Sequence, residues 1–148
     1  MNLREKLENT LHDAMRSGNT TAKNTIRMAL TNIKLAEVQK GAKLDDPEIV
    51  NILQKEIKSR KETIADAEKA HRQDIIDSTQ QEIMVIEPFL PKQLTDDELK
   101  ILISQVIAEI NAQSMTDMGK VMKTALPKVQ GQASNEAVSR ITRELLNK

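Results

Sequence analysis

The sequence predicts an all-α protein, and three observations lead to that prediction. Apolar residues recur every three or four positions along most of the chain, which is the period of amphipathic helices. Only four glycines and four prolines occur in 148 residues, which is too few for the many turns of a β-sandwich. No stretch of useful length alternates apolar and polar residues, so no strand is predicted.

The first two helices are predicted from apolar stripes that are each followed by a glycine. Residues three or four apart share one face of a helix, so the stripe marks the buried side. The inward positions of the two helices are Leu3, Leu7, Leu11, Met15, Ala22, Ile26, Leu30 and Ile33. Gly18 and Gly41 are expected to end these helices, because glycine readily takes the left-handed conformation that follows many helices.

Helix 3 is predicted from about Pro47 to near Ala70, with Asp46 as its N-cap. Its apolar face consists of Ile49, Leu53, Ile57 and Ile64. Its opposite, charged face is predicted to consist of Lys55, Lys58, Arg60, Lys61, Glu62, Asp66 and Lys69. The pattern then slips, and a fourth helix is predicted from Arg72 to about Glu87.

Residues 87–94 form the best candidate for a domain boundary, because Pro88 and Pro91 cannot both lie inside a regular helix. This boundary divides the chain into a four-helix N-terminal domain, 1–92, and a three-helix C-terminal domain, 93–148. A capping-box pattern at residues 95–98 predicts the start of helix 5. Helix 6 is predicted to stop before Pro127, which leaves residues 128–133 as a loop, and Ser134 is the predicted cap of helix 7.

Composition excludes several classes of functional site. Without cysteine the chain has no disulfide, thiolate metal site or thiol nucleophile, and its only aromatic residue is Phe89, which argues against base stacking. Glu68 and His71 have the spacing of a carboxylate-bridged metal bundle, but the second copy that such a site needs is absent. We therefore expect no catalytic residue, no metal and no cofactor.

The sequence also predicts where the protein resides. No apolar run approaches the 18 residues of a membrane span. The first eleven residues carry charges every few positions and lack the apolar stretch of a signal peptide. We therefore expect no membrane association and a cytoplasmic location.

The balanced net charge conceals a basic C-terminal segment. The whole chain has 22 basic and 22 acidic residues, yet residues 112–148 contain six basic and three acidic ones. Cations near helix ends and loops commonly bind phosphates. The candidate RNA-binding residues are Lys120, Lys123, Lys128, Arg140 and Arg143. We interpret the lysine-rich stretch 55–61 instead as a solvated helix face whose charge is offset by Glu56 and Glu62.

Four stretches, taken in their order and spacing, resemble the GatB/YqeY family. They are KEIKSRKE at 55–62, RQD at 72–74, FLPKQL at 89–94 followed by DEL at 97–99, and DMGKVM at 117–122, with Gly131 downstream. The N-terminal hairpin with Arg27 is also similar to the free-standing YqeY members. The resemblance therefore covers essentially the whole chain.

This resemblance implies an all-α fold in two helical subdomains. The related segment forms the tail of the B subunit of glutamine-dependent tRNA amidotransferases, where it helps to hold the tRNA body. The amidation chemistry lies in other domains and subunits, which this chain lacks. The resemblance thus implies a non-catalytic protein that binds tRNA or another structured RNA.

Two alternatives stay open on the sequence alone. The chain could be an accessory component with carbon–nitrogen ligase activity, using glutamine as amido donor, only inside a complex. It could also be a helical adaptor for a protein partner, with Met118 and Met122 forming the contact face, since methionines can line adaptable binding grooves. RNA binding should depend strongly on salt, whereas an apolar adaptor face should not.

Overall fold

The computed structural model describes residues 1–147. All regular secondary structure in this part of the chain is helical, which confirms the all-α prediction. The seven α-helices are α1 (Leu3–Ser17), α2 (Thr20–Lys40), α3 (Asp46–Lys69), α4 (Gln73–Ile86), α5 (Asp96–Ile110), α6 (Met118–Val129) and α7 (Asn135–Leu146). Short 3₁₀ turns at Glu87–Phe89 and Met115–Asp117 follow α4 and precede α6. Within the described residues, no helix has the length and apolar character needed to cross a bilayer.

The predicted helix ends are set by local capping interactions. Three helices start with a reciprocal capping box, in which the N-cap side chain accepts the third residue's N–H and that residue's glutamate accepts the N-cap N–H. These pairs are Asn2 with Glu5, Asp45 with Glu48, and Thr95 with Glu98. The predicted N-cap of helix 3 is therefore wrong by one residue, because Asp45 caps α3 and Asp46 is its first helical residue. Gly18 and Gly41 follow α1 and α2 with φ of 73° and 76°. A side chain would strain the backbone at both positions.

Helices α1 to α4 enclose the core of a first compact unit, Met1–Leu90. The fully buried large side chains of this core are Leu7, Ile26, Ile33, Ile49, Leu53 and Ile86. Polar contacts tie the α2–α3 connection to α1. The N–H of Leu3 donates to Asp46 Oδ1 at 3.2 Å, and the half-buried Glu37 carboxylate accepts from Arg4 and from the N–H of Leu44. These bonds satisfy backbone groups that a helix start and a loop leave free.

Helices α5 to α7 enclose the core of a second compact unit, which begins at Pro91. Its most deeply buried side chains are Leu99, Ile103, Val106, Val121, Ala125, Val129, Val138 and Ile141. The extended segment before α5 is fixed to this unit, since the N–H of Leu94 donates to Gln132 O at 2.7 Å. The side-chain amide Nε2 of Gln93 also donates to the backbone carbonyl of Gly131 at 3.0 Å.

The inward stripe predicted for helix 1 is wrong at its last member. Met15 is 49% exposed, and Ala14 is buried in its place. With 3.6 residues per turn, each four-residue step turns by about 40° beyond a full circle, so Met15 lies about 120° from Leu3. A stripe of strict four-residue spacing therefore leaves the buried face after three steps.

The predicted end of helix 6 is also wrong, because α6 continues through Pro127 to Val129. Proline inside a helix costs about 3 kcal/mol through its missing N–H and its ring clash. Continuing the helix places Val129 in the core, where it is fully buried, and burying such a side chain contributes about 1.5–3 kcal/mol. The two terms are comparable, and the helix continues about one turn further, to Val129. Its C-cap residue is Gln130, whose φ is 48°. Lys128 is consequently a helical residue.

Limited proteolysis should separate the two units, whose independent folding stays a prediction. Lys92 is exposed, and residues 91–95 carry no regular secondary structure, so trypsin should cut first after Lys92. Both fragments should keep helical circular dichroism and melt on their own. A chain that resists early cleavage here, or fragments that unfold on release, would contradict this prediction.

Candidate functional site

Three of the five predicted RNA-binding cations are exposed and carry no ion pair within residues 1–147. Lys120 and Lys123 lie three residues apart on α6, so their side chains are neighbours on one helix surface. Arg143 is exposed on α7. The positive charge of Lys120 is partly offset by Asp117, whose pKa is lowered by the N–H of Gln113 and, to a smaller extent, by Lys120 itself.

The other two predicted cations are paired with carboxylates of the second unit. Lys128 Nζ donates to Glu109 Oε2 at 2.7 Å. Arg140 Nη2 donates to Asp96 Oδ1 at 3.1 Å, and its Nη1 lies 3.7 Å from Glu144 Oε1. The hydrogen bond to Asp96 raises the pKa of Arg140 above its usual value. These charges are already partly neutralised before any phosphate approaches.

The paired cations do not belong to one patch. Asp96 and Glu109 lie at opposite ends of α5, about 20 Å apart at 1.5 Å per residue. Their partners Arg140 and Lys128 are held at those two ends. From Pro91 onward the sequence has eight basic and seven acidic residues, because α5 contributes carboxylates that the count over 112–148 left out.

The methionine face is mostly part of the core. Met118 and Met122 are partly buried and pack against the apolar cluster of the second unit, whereas Met115 is 40% exposed. Part of the methionine surface on which the adaptor alternative depends is therefore already used inside the second unit, and a protein partner stays a prediction.

The histidine motif after α3 does not assemble a metal site. His71 follows the end of α3 in a left-handed conformation, with φ of 56°. Across residues 1–147, no three acidic, histidine or cysteine side chains are grouped so that they could hold a metal ion.

A groove of about 480 Å³ lies between α2, α3 and α4. This volume is in the range of small-molecule pockets. Its walls combine apolar, hydroxyl, amide and charged side chains. The lining residues are Met28, Asn32, Ala36, Ile52, Lys55, Glu56, Ser59, Arg60, Thr63, Thr79 and Glu82.

A buried ion pair lies in this groove. Arg60 Nη1 donates to Glu56 Oε2 at 2.5 Å and to the Glu56 carbonyl at 3.1 Å, and both side chains are less than a tenth exposed. Asn32 Nδ2 donates to the second carboxylate oxygen of Glu56. Arg60 Nε lies 3.6 Å from Glu82 Oε1 and makes no hydrogen bond. Glu56 and Arg60 are the charged side chains among the buried residues that the structure describes.

The prediction that Arg60 and Glu56 lie on a solvated face is wrong. Both are buried, and Glu56 neutralises Arg60 rather than the exposed lysines beside it. The sequence did contain a signal for this. The inward stripe of α3 has a gap of seven residues between Ile57 and Ile64. Because residues three or four apart share one face of a helix, a residue at or next to position 60 must lie on the inward face between them.

Comparison with known proteins identifies the family. A family model described as a Yqey-like protein matches residues 4–146. The chain belongs to the YqeY-like family. The match includes both compact units, the exposed cations of α6 and α7, and the groove with the buried ion pair, so the two candidate sites lie within the family region.

Several fungal proteins are similar to this YqeY-like chain. An uncharacterised protein of Schizosaccharomyces pombe is 27% identical over 95 residues, which are 64% of this chain and 77% of that protein. The protein named altered inheritance of mitochondria protein 41, mitochondrial, of Pyrenophora tritici-repentis is 26% identical over 144 residues, or 95% of this chain and 79% of its own length. The protein of the same name from Vanderwaltozyma polyspora is 34% identical over 85 residues, or 57% of this chain and 46% of its own length.

Proposed function

We propose that this YqeY-like protein binds tRNA or another structured RNA without catalysing a reaction itself. The observation that supports the proposal is the set of exposed, unpaired cations on the second unit: Lys120, Lys123 and Arg143. Their charge is available to phosphates, because no carboxylate of residues 1–147 lies within ion-pair distance of them.

The geometry favours contacts to the RNA backbone over contacts to bases. Phe89 is the only aromatic residue of the chain and belongs to the first unit, so the second unit offers no ring on which a base could stack. Lysine and arginine contacts to phosphate fix orientation without reading sequence. The protein should therefore recognise RNA shape and charge, with modest affinity.

Salt titration of tRNA binding should give a shallow but definite dependence. Each phosphate contact contributes about 0.7–0.9 to the slope of log affinity against log salt. Three contacts then give a slope of about −2 to −3 on the same rule. Replacing Lys120 and Lys123 together by alanine should weaken binding and reduce the slope by about one to two. Fluorescence anisotropy with labelled tRNA at several salt concentrations measures both quantities.

A matched pair on α3 provides the control. Lys58 and Lys61 are exposed on the first unit, but Lys58 is already engaged within the chain, and Glu62 is adjacent to Lys61. Replacing this pair by alanine should change affinity much less. Equal losses from the two pairs would show that the second unit is not the contact surface. A wild-type affinity that is independent of salt would rule out phosphate binding and favour a protein partner.

A further inference from the structure

We propose that the groove between α2, α3 and α4 binds a monocarboxylate that carries an apolar group and an adjacent amide N–H, as at the carboxyl terminus of a peptide. The carboxylate takes the Nε/Nη2 edge of Arg60 after Glu82 turns toward solvent. This inference concerns the first unit and does not depend on RNA binding by the second.

The first argument is the unused half of the Arg60 guanidinium. A guanidinium has five N–H donors. In Arg60, Nη1 donates its two hydrogen bonds to Glu56. Nη2 contacts only the sulfur of Met28, at 3.5 Å, which is a weak acceptor. Nε is buried without a hydrogen bond. A buried donor without a partner costs about 1–3 kcal/mol, so an acceptor at this edge is favoured.

The geometry of that edge selects a carboxylate. Nε and Nη2 project two parallel N–H bonds, and a carboxylate accepts both in a planar, bidentate arrangement. Two oxygens of a phosphate can accept the same pair of N–H bonds, but a phosphate brings up to two negative charges. Glu56 already neutralises Arg60, and Lys55 at the exposed rim is the remaining cation of the lining. Once Glu82 has turned to solvent, the charges of Arg60, Glu56 and Lys55 leave one net positive charge at the groove. This charge compensates one negative charge of a ligand and not two.

Glu82 can leave the position that the ligand would take. Its side chain is 33% exposed, and its Oε1 lies 3.6 Å from Arg60 Nε, beyond hydrogen-bond distance. Turning this side chain into water therefore breaks no hydrogen bond. It gives up the ion pair with Arg60 and removes from the groove a charge of the same sign as the ligand. Glu82 in its present position interacts only weakly with Arg60, and an incoming carboxylate must displace it.

The walls of the groove suit the rest of such a ligand. Met28, Ala36 and Ile52 provide an apolar surface. Asn32 donates its Nδ2 to Glu56, so its Oδ1 is left to accept an N–H from the ligand. An apolar side chain, an amide N–H and a carboxylate occur together in the last residue of a peptide or in an N-acylated amino acid.

Titration with N-acetyl-L-leucine tests the site. The full-length protein labelled with ¹⁵N should show saturable shifts of the Asn32 side-chain amide and the Arg60 Nε–H. N-acetyl-L-leucine methyl ester lacks the carboxylate and should give no saturable shift. Inorganic phosphate should bind at least about tenfold more weakly than the acid, because two nearby carboxylates disfavour a dianion.

The decisive variant is Glu82→Gln, which removes the competing charge at a partly exposed position. It should tighten binding of N-acetyl-L-leucine by at least about threefold. Glu62→Gln, an exposed change on α3 outside the groove, should leave the affinity unchanged. Equal binding of the acid and its ester, equal binding of phosphate, or unchanged affinity in Glu82→Gln would each overturn the proposal. An absence of any saturable shift would overturn it as well.

Discussion

Replacing Leu53 by alanine should lower the free energy of unfolding of the first unit by about 2–5 kcal/mol, as large-to-small changes do in a close-packed core. Leu53 is fully buried on α3 and belongs to the cluster that all four helices of the unit share. Shortening its isobutyl group to a methyl leaves a cavity within this cluster, whose other buried members, such as Ile26 and Ile49, relax only in part. Urea denaturation followed by circular dichroism measures the change.

Leu35→Ala is the matched control, because it makes the same chemical change at a position that is 58% exposed. It should alter the free energy of unfolding by no more than about 0.5 kcal/mol. Leu53→Ala should leave tRNA affinity per folded molecule unchanged, since the proposed contacts lie on the other unit. A neutral Leu53→Ala would mean that the buried face of α3 is misassigned.

The helices of this protein are predictable because their signals are local. A helix start needs one side-chain oxygen and a glutamate three residues later, and that pattern predicts the cap at Thr95 without any tertiary contact. At α3 the same pattern lies at Asp45 and Glu48, so the prediction of Asp46, which relied on its position before Pro47, was wrong by one residue. The end of α6 was not predictable in this way. Pro127 is a correct local stop signal, and it is overridden by burial of Val129, which depends on helices that are distant in sequence.

The candidate sites were predictable only in part, for a related reason. Exposure of Lys120 and Lys123 follows from the apolar face of α6, which the sequence shows. Pairing of Arg140 with Asp96 joins residues 44 positions apart, so a count of nearby charges cannot reveal it. The same holds for the groove, where Asn32 reaches Glu56 from another helix. Only the seven-residue step from Ile57 to Ile64 indicated that Arg60 lies inward.

The buried pair provides the second large expected effect. Glu56→Leu should lower the free energy of unfolding by about 3–5 kcal/mol, because it leaves the Arg60 charge buried without its main partner. The loss should fall toward the lower end of that range, since Glu82 lies 3.6 Å from Arg60 and can approach it. Replacing the exposed Glu109, which pairs with Lys128 in the second unit, should have little measurable effect.

The double variant Glu56→Leu with Arg60→Met separates the two possible causes of that loss. If the cost arises from an uncompensated charge, removing both charges should recover most of the stability, because apolar residues of similar volume often replace a buried ion pair without loss. If Glu56 instead contributes mainly through packing and its bond to Asn32, the two changes should add. A double-mutant cycle measured by urea denaturation gives the coupling energy directly. Additive losses would contradict the assignment of a charge pair to the base of the groove.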